Sequence, residues 1–153
     1  MMRRMILLLA ASALAACAAK VEDGAGAPKQ HQSLAAPTPA GIAMKITGEM
    51  KGENVSVKVG TKIAVELVGV PTAGYVWAVS DKPAFLETAG EYGGPTSSAQ
   101  LEPGFAGGNH WEGFVFVVKA AGEGEFRFTQ RRAWEDDEEP PADEFSVYLF
   151  AEE

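Results

Sequence analysis

Residues 55 to 69 read "VSVKVGTKIAVELVG". Two alternating runs flank the pair Gly60-Thr61. Val55, Val57 and Val59 share one face of the first, and Ile63, Val65 and Leu67 share one face of the second. Successive side chains of a strand point to opposite faces, so each run predicts a strand with one face in a core. The pattern recurs downstream. "YVWAV" (75–79) continues it, and "EGFVFVVKA" (112–120) puts Phe114, Phe116 and Val118 on one side. "GEFRFTQRR" (124–132) alternates Phe126 and Phe128 with Arg127, Thr129 and Arg131, and "EFSVYLFAE" (144–152) aligns Phe145, Val147 and Leu149. Gly60, Gly69, Gly93-Gly94, Gly107-Gly108 and Gly122 fall between the runs at turn-like intervals. No helical period is sustained beyond the N-terminal leader. About seven short strands joined by turns predict an all-β, two-sheet sandwich of immunoglobulin-like kind.

The N-terminus carries a different signal. Arg3 and Arg4 precede an apolar run from Met5 to Leu14, which is about half the roughly 20 residues a membrane-spanning helix needs. A basic start, a short apolar run and small residues describe an export signal. Leu14-Ala15-Ala16-Cys17 resembles the bacterial lipobox, in which the cysteine takes a diacylglyceryl group and the leader is cut just before it. This gives a signal peptide over 1–16, a lipidated Cys17 and an anchor to the cell envelope. By resemblance to Gram-negative lipoproteins, Ala18 after the cysteine directs the protein to the outer membrane. Cys17 is the only cysteine, so the sandwich has no disulfide, and a lipidated Cys17 is no nucleophile. Residues 17–40, rich in Ala, Pro, Gly, Gln and Ser without apolar periodicity, read as a flexible tether. Residues 41–153 are then one domain.

The formal charge of −8 becomes two units more negative once Arg3 and Arg4 leave with the leader, which argues against nucleic acid as a partner. The acidic run Glu135–Glu144, "EDDEEPPADE", reads as a solvated hairpin or as a field that steers a basic partner. No nucleophile with a base and no ligand cluster is visible. His31 lies in the tether, and His110, in a glycine-rich loop, reads as a loop contact or surface residue. Asp136 and Asp137 lack the spacing of a calcium loop. Gly107-Gly108 is no phosphate cradle, because no helix follows it. The chain therefore reads as a monomeric binding protein without cofactor or metal, not as an enzyme.

Three segments exceed what turns require. In "GVPTAGYVWAV" (69–79), Pro71 fixes its own φ and pushes Val70 extended, while Gly74 permits a backbone closed to other residues. Tyr75 and Trp77, two apart, share a strand face and pin it. "EPGFAGGNHWEGF" (102–114) is a glycine loop with aromatic ends, and "QRRAWEDD" (130–137) sets two arginines and a tryptophan at a strand end. Loops at one end of a sandwich can gather into a single binding surface.

Together these segments resemble the chagasin family of cysteine-peptidase inhibitors, whose immunoglobulin-like domain carries an "NPTTGY.W" loop, a "GxGG" loop and an "RPW" loop in that order. The corresponding residues are Pro71-Thr72-Ala73-Gly74-Tyr75 with Trp77, Gly104 to Gly108 with Trp111, and Arg132-Ala133-Trp134-Glu135. The resemblance implies a reversible inhibitor of papain-like cysteine peptidases whose first loop fills the active-site cleft, with Thr72 and Ala73 at its tip. Pro71, Gly74, Tyr75, Gly107, Gly108, Arg132 and Trp134 would make the remaining contacts, Trp134 as anchor, with Trp77 and Trp111 supporting the loops. Val70 replaces the family's Asn, Ala73 its second Thr and Ala133 its Pro. Each change removes a stiffening or hydrogen-bonding element at unchanged loop length. The alternative is an envelope scaffold or binding lipoprotein that kept the fold without inhibiting.

Overall fold

Alternation becomes structure at each of the quoted runs. A computed structural model describes residues 29–135 and 138–153, and its folded unit spans His31–Glu153. Eight strands follow in order: β1 (Ile42–Thr47), β2 (Asn54–Lys58), β3 (Lys62–Gly69), β4 (Tyr75–Asp81), β5 (Leu86–Pro95), β6 (His110–Val118), β7 (Gly122–Arg132) and β8 (Asp143–Glu152). They form two four-stranded sheets, ordered β1-β3-β6-β5 and β2-β8-β7-β4. The pairs β1–β3 and β2–β8 are parallel, and the others are antiparallel. This is the expected immunoglobulin-like sandwich.

The faces are as the sequence predicts except in β4, where Trp77 alone is buried and Val79 is exposed. Val55, Val57, Ile63, Val65, Leu67, Phe114, Phe116, Val118, Phe126, Phe128, Phe145, Val147 and Leu149 are all buried between the sheets. Phe116–Phe126 and Phe126–Phe128 approach to 4.9 and 4.8 Å between ring centroids, and Phe128 continues the row to Phe114 at 5.2 Å. Burying one such ring stabilises by about 1.5–3 kcal/mol, so this row holds the sheets together without a covalent link.

Two strands escape the sequence reading. β1 alternates Ile42, Met44 and Ile46 inward, with Ile46 fully buried. β5 hides because only its first residue, Leu86, reaches the core, and a register shift between Thr88 and Gly90 interrupts it. Gly93 and Gly94, expected in a turn, lie inside β5, and Gly69 and Gly122 also fall within strands. The reason at Gly93 is close approach: a Cβ there would fall 2.7 Å from the Trp111 carbonyl oxygen. The folded unit also begins ten residues before position 41, because Gln32–Thr38 is already bonded to the first sheet.

Strand pairing places the three distinctive loops. Gly69 ends β3 opposite His110 at the start of β6, and Pro95 ends β5 opposite the same residue. In the other sheet Tyr75 starts β4 opposite Arg132 at the end of β7. The connections 70–74, 96–109 and 133–142 therefore leave the sandwich at one end.

Candidate functional site

The first loop is a closed hairpin tip. Val70 and Tyr75 exchange both backbone hydrogen bonds, at 3.0 and 3.2 Å, and Pro71–Ala73 form one 3-10 turn between them. Inside it the Ala73 N–H donates to the Val70 carbonyl and the Gly74 N–H to that of Pro71, each at 2.9 Å. Gly74 closes the turn at φ +85°, in the left-handed region where a side chain costs about 1–2 kcal/mol. Val70 thus ties the loop through its own backbone, in place of an Asx side chain. Pro71, Thr72 and Ala73 are exposed.

The third loop leans on the first. The Trp134 ring lies where a Cβ on Gly74 would be, with ring carbon Cη2 2.2 Å from that point, so only glycine admits it. Trp134 nevertheless remains 71% exposed. The Arg132 guanidinium sits 4.2 Å above the Tyr75 ring and 5.9 Å from the Trp134 ring, and its Nε donates to the Ala73 carbonyl at 3.1 Å. The Arg132 amide donates to Glu135 Oε2 at 3.2 Å, and the two side chains pair at 3.5 Å. Tip, arginine and tryptophan form one interlocked unit. Ala133 is exposed, and Asp136 and Asp137 lie outside the described residues.

Trp77 serves below the tip. It is 8% exposed, and its indole N–H donates to the Val68 carbonyl at 3.0 Å, joining the start of β4 to the end of β3. Its backbone N–H donates to Glu112 Oε2 at 2.8 Å. The other carboxylate oxygen of Glu112 lies against Gly69, buried and without a hydrogen-bond partner. Burial raises the Glu112 carboxyl above the usual carboxylate range. The Trp77 N–H and His110 act in the opposite direction, and Glu91 adds to the rise.

The second loop is organised differently. Ser97 and Gln100 form a capping box around the short 3-10 segment Ser98–Leu101. Gln100 Oε1 accepts from the Thr96 and Ser97 amides at 2.7 and 3.0 Å, while its Nε2 donates to the Asn109 carbonyl at 2.7 Å, clamping the two ends together. Gly104, Gly107 and Gly108 all have positive φ. Leu101 and Phe105 are 68% and 46% exposed. Trp111 is half-buried, and its indole N–H donates to the Leu34 carbonyl at 2.8 Å. Sequence reasoning missed Gln100, although Ser97-x-x-Gln100 is a capping-box pattern. It also missed Glu112, for which one strand position gives no signal.

Among the described residues no group of three or more His, Cys, Asp or Glu is placed to hold a metal ion. What the end offers is an exposed apolar surface made of Trp134, Leu101 and Phe105.

Comparison with known proteins agrees with this geometry. The structure resembles that of the cysteine protease inhibitor EhICP2 from Entamoeba histolytica, with TM-score 0.60 and 15% identity over 73% of this chain and 100% of that one. It also resembles the solution structure of Amebosin, with TM-score 0.55 and 22% identity over 71% and 97%. PbICP-C, solved in complex with falcipain-2, aligns at TM-score 0.44 and 15% identity over 75% and 95%. No curated protein sequence matches the chain. Residues 56–149, which hold all eight strands but β1 and part of β2 and β8, match the family described as chagasin family peptidase inhibitor I42. A match over that much of the chain, with the three loops at one end of the sandwich, shows that this protein belongs to the chagasin family of peptidase inhibitors, and not to an enzyme family.

Proposed function

We propose that the protein is a reversible inhibitor of papain-like cysteine peptidases, acting by filling the active-site cleft with the tip Pro71–Gly74 while Trp134 and the second loop grip the sides. The observation that carries the reading is the stack of Trp134 on Gly74, with Arg132 joining Tyr75 to the Ala73 carbonyl. A loop already locked in its bound shape loses little entropy on docking. Carbonyls engaged within the molecule are also poorly placed for attack, which distinguishes an inhibitor from a substrate. An exposed Trp beside an Arg is the composition of an interface hot spot, here within an interface of about 1,600 Å². EhICP2, which shares this fold, is described as a cysteine protease inhibitor, and that favours the peptidase class proposed. The anchor is part of the reading: Cys17, outside the described residues, would hold the inhibitor on the outer membrane.

The test is a titration of the full chain against papain and a cathepsin L-like peptidase with a fluorogenic substrate. Reversible inhibition that falls at least 30-fold with Trp134→Ala, and is abolished when Thr72 and Ala73 are exchanged for a Lys pair, establishes the wedge. About 2 kcal/mol from one hot-spot side chain corresponds to that 30-fold. A folded protein without inhibition at about micromolar concentration would instead support a scaffold or binding role. Release of labelled palmitate from wild-type but not Cys17→Ser protein checks the anchor.

A further inference from the structure

The segment Gln32–Thr38 lies outside the stretch that matches the family, yet it is bonded to the base of the second loop. The Leu34 N–H donates to the Thr96 carbonyl and the Ser98 N–H to the Gln32 carbonyl, both at 2.8 Å, making Ser33 and Ser97 a bridged antiparallel pair. The Gln32 amide donates to Ser98 Oγ, and the Trp111 indole to the Leu34 carbonyl, each at 2.8 Å. Further along, Pro37 covers Gly94, where an added Cβ would come within 3.0 Å of the proline ring. The Thr38 hydroxyl then donates to Glu66 Oε1, which also accepts the Tyr92 hydroxyl at 2.6 Å. Glu66 is 3% exposed, so these donors replace the water it lost.

The attachment points are the residues that shape the loop. Thr96 gives its carbonyl to the strap and its N–H to Gln100, the side chain that clamps Asn109. Ser98 opens the 3-10 segment leading to the exposed Leu101. A loop with three positive-φ glycines has many alternative shapes, and fixing its base removes a share of them before docking.

We propose that residues 32–38 are a positioning strap of the inhibitory end, which holds the second loop in the shape that meets a peptidase. The effect on inhibition rests on the function proposed above, whereas the effect on the loop does not. Each bond contributes little net, so the strap is held by the set of them, and a variant that removes several is tested beside a single substitution.

The experiment compares the full chain with Leu34→Pro, which removes the donor to Thr96, and with a second variant carrying Gly and Ser throughout 32–38. Amide exchange by mass spectrometry is followed across 96–109, with peptides from β3 and β7 as controls for the fold, beside inhibition of papain. The expected result is exchange across 98–109 at least 5-fold faster with β3 and β7 unchanged, and inhibition weakened about 5- to 10-fold. Unchanged exchange across 98–109 in both variants would overturn the proposal, leaving the strap as a cover for the β5 edge. If the parent chain fails to inhibit, the exchange result alone decides the strap, and only the peptidase reading falls. If the Gly/Ser variant loses protection in β3 and β7 as well, Leu34→Pro decides.

Discussion

The first and third loops are held by rings and a guanidinium stacked on one another, whereas the second is held by one glutamine, a strap and glycines. The first arrangement fixes a tip while leaving it in solvent: Trp134 contacts Gly74 with one edge and presents the rest of its surface. The second fixes only the base and leaves Leu101 and Phe105 on a span that can adjust. On the proposed function, rigidity at the point that would enter a cleft and adaptability beside it are different requirements, and different residue types supply them.

The sharpest way to break the first arrangement is Gly74→Val. The side chain must occupy both the left-handed backbone region and the place of the Trp134 ring, so inhibition should fall about 100-fold or more. Exchange across 98–109 should not change, while the melting temperature should fall by several degrees, since the left-handed backbone alone costs about 1–2 kcal/mol. A smaller loss follows from Arg132→Lys. The ammonium can keep the charge near Tyr75 but cannot stack as a plane while donating to the Ala73 carbonyl, so we expect about 10- to 30-fold weaker inhibition. An inhibition constant unchanged in this variant would show that the stack is decoration.

On the other side, Gln100→Ala removes four hydrogen bonds that close the second loop. The adaptable loop should tolerate this with a loss of about 5-fold in inhibition and faster exchange at Thr96 and Ser97, because each neutral bond is worth only about 1 kcal/mol. A loss as large as that of Gly74→Val would erase the distinction between the two sides.

The smallest effect concerns Glu112, below the rigid tip. Its folded carboxyl titrates above the unfolded value because of burial. The protonated form is therefore favoured in the fold: its stability contribution is complete below about pH 4.3, the unfolded value, and is lost as pH rises through the folded one. Glu112→Gln should leave the melting temperature nearly unchanged at pH 4 and raise it by a few degrees at most at pH 8, where the wild-type carries an unpartnered buried oxygen. Equal shifts at both pH values would remove the titration from the explanation.

Six of the eight strands are legible because large apolar residues recur at every second position, even in β3 and β6, where Ala64, Glu66 and Val115 on the second face are buried as well. β5 is not, since its glycines answer to Trp111 and Pro37 from elsewhere in the chain and not to a turn. The loops are legible as motifs, and the exposure of Trp134 follows from its charged neighbours. Its seat on Gly74 could not be read, because the two are 60 positions apart and joined only by the pairing of β4 with β7. The strap was invisible for the same reason: a Pro- and Ala-rich run shows no period, and its partners Thr96, Ser98 and Glu66 are distant in sequence.

The strap also decides where the folded chain begins. Gln32 sits beside the second loop, whereas Lys58 and Gly122, which neighbour the end of β8, lie at the opposite pole with the last residue, Glu153. The folded unit therefore begins at the same pole that carries the three loops. A bulky group fused just before His31 would therefore stand beside these loops and interfere with the proposed docking, where one added after Glu153 would not.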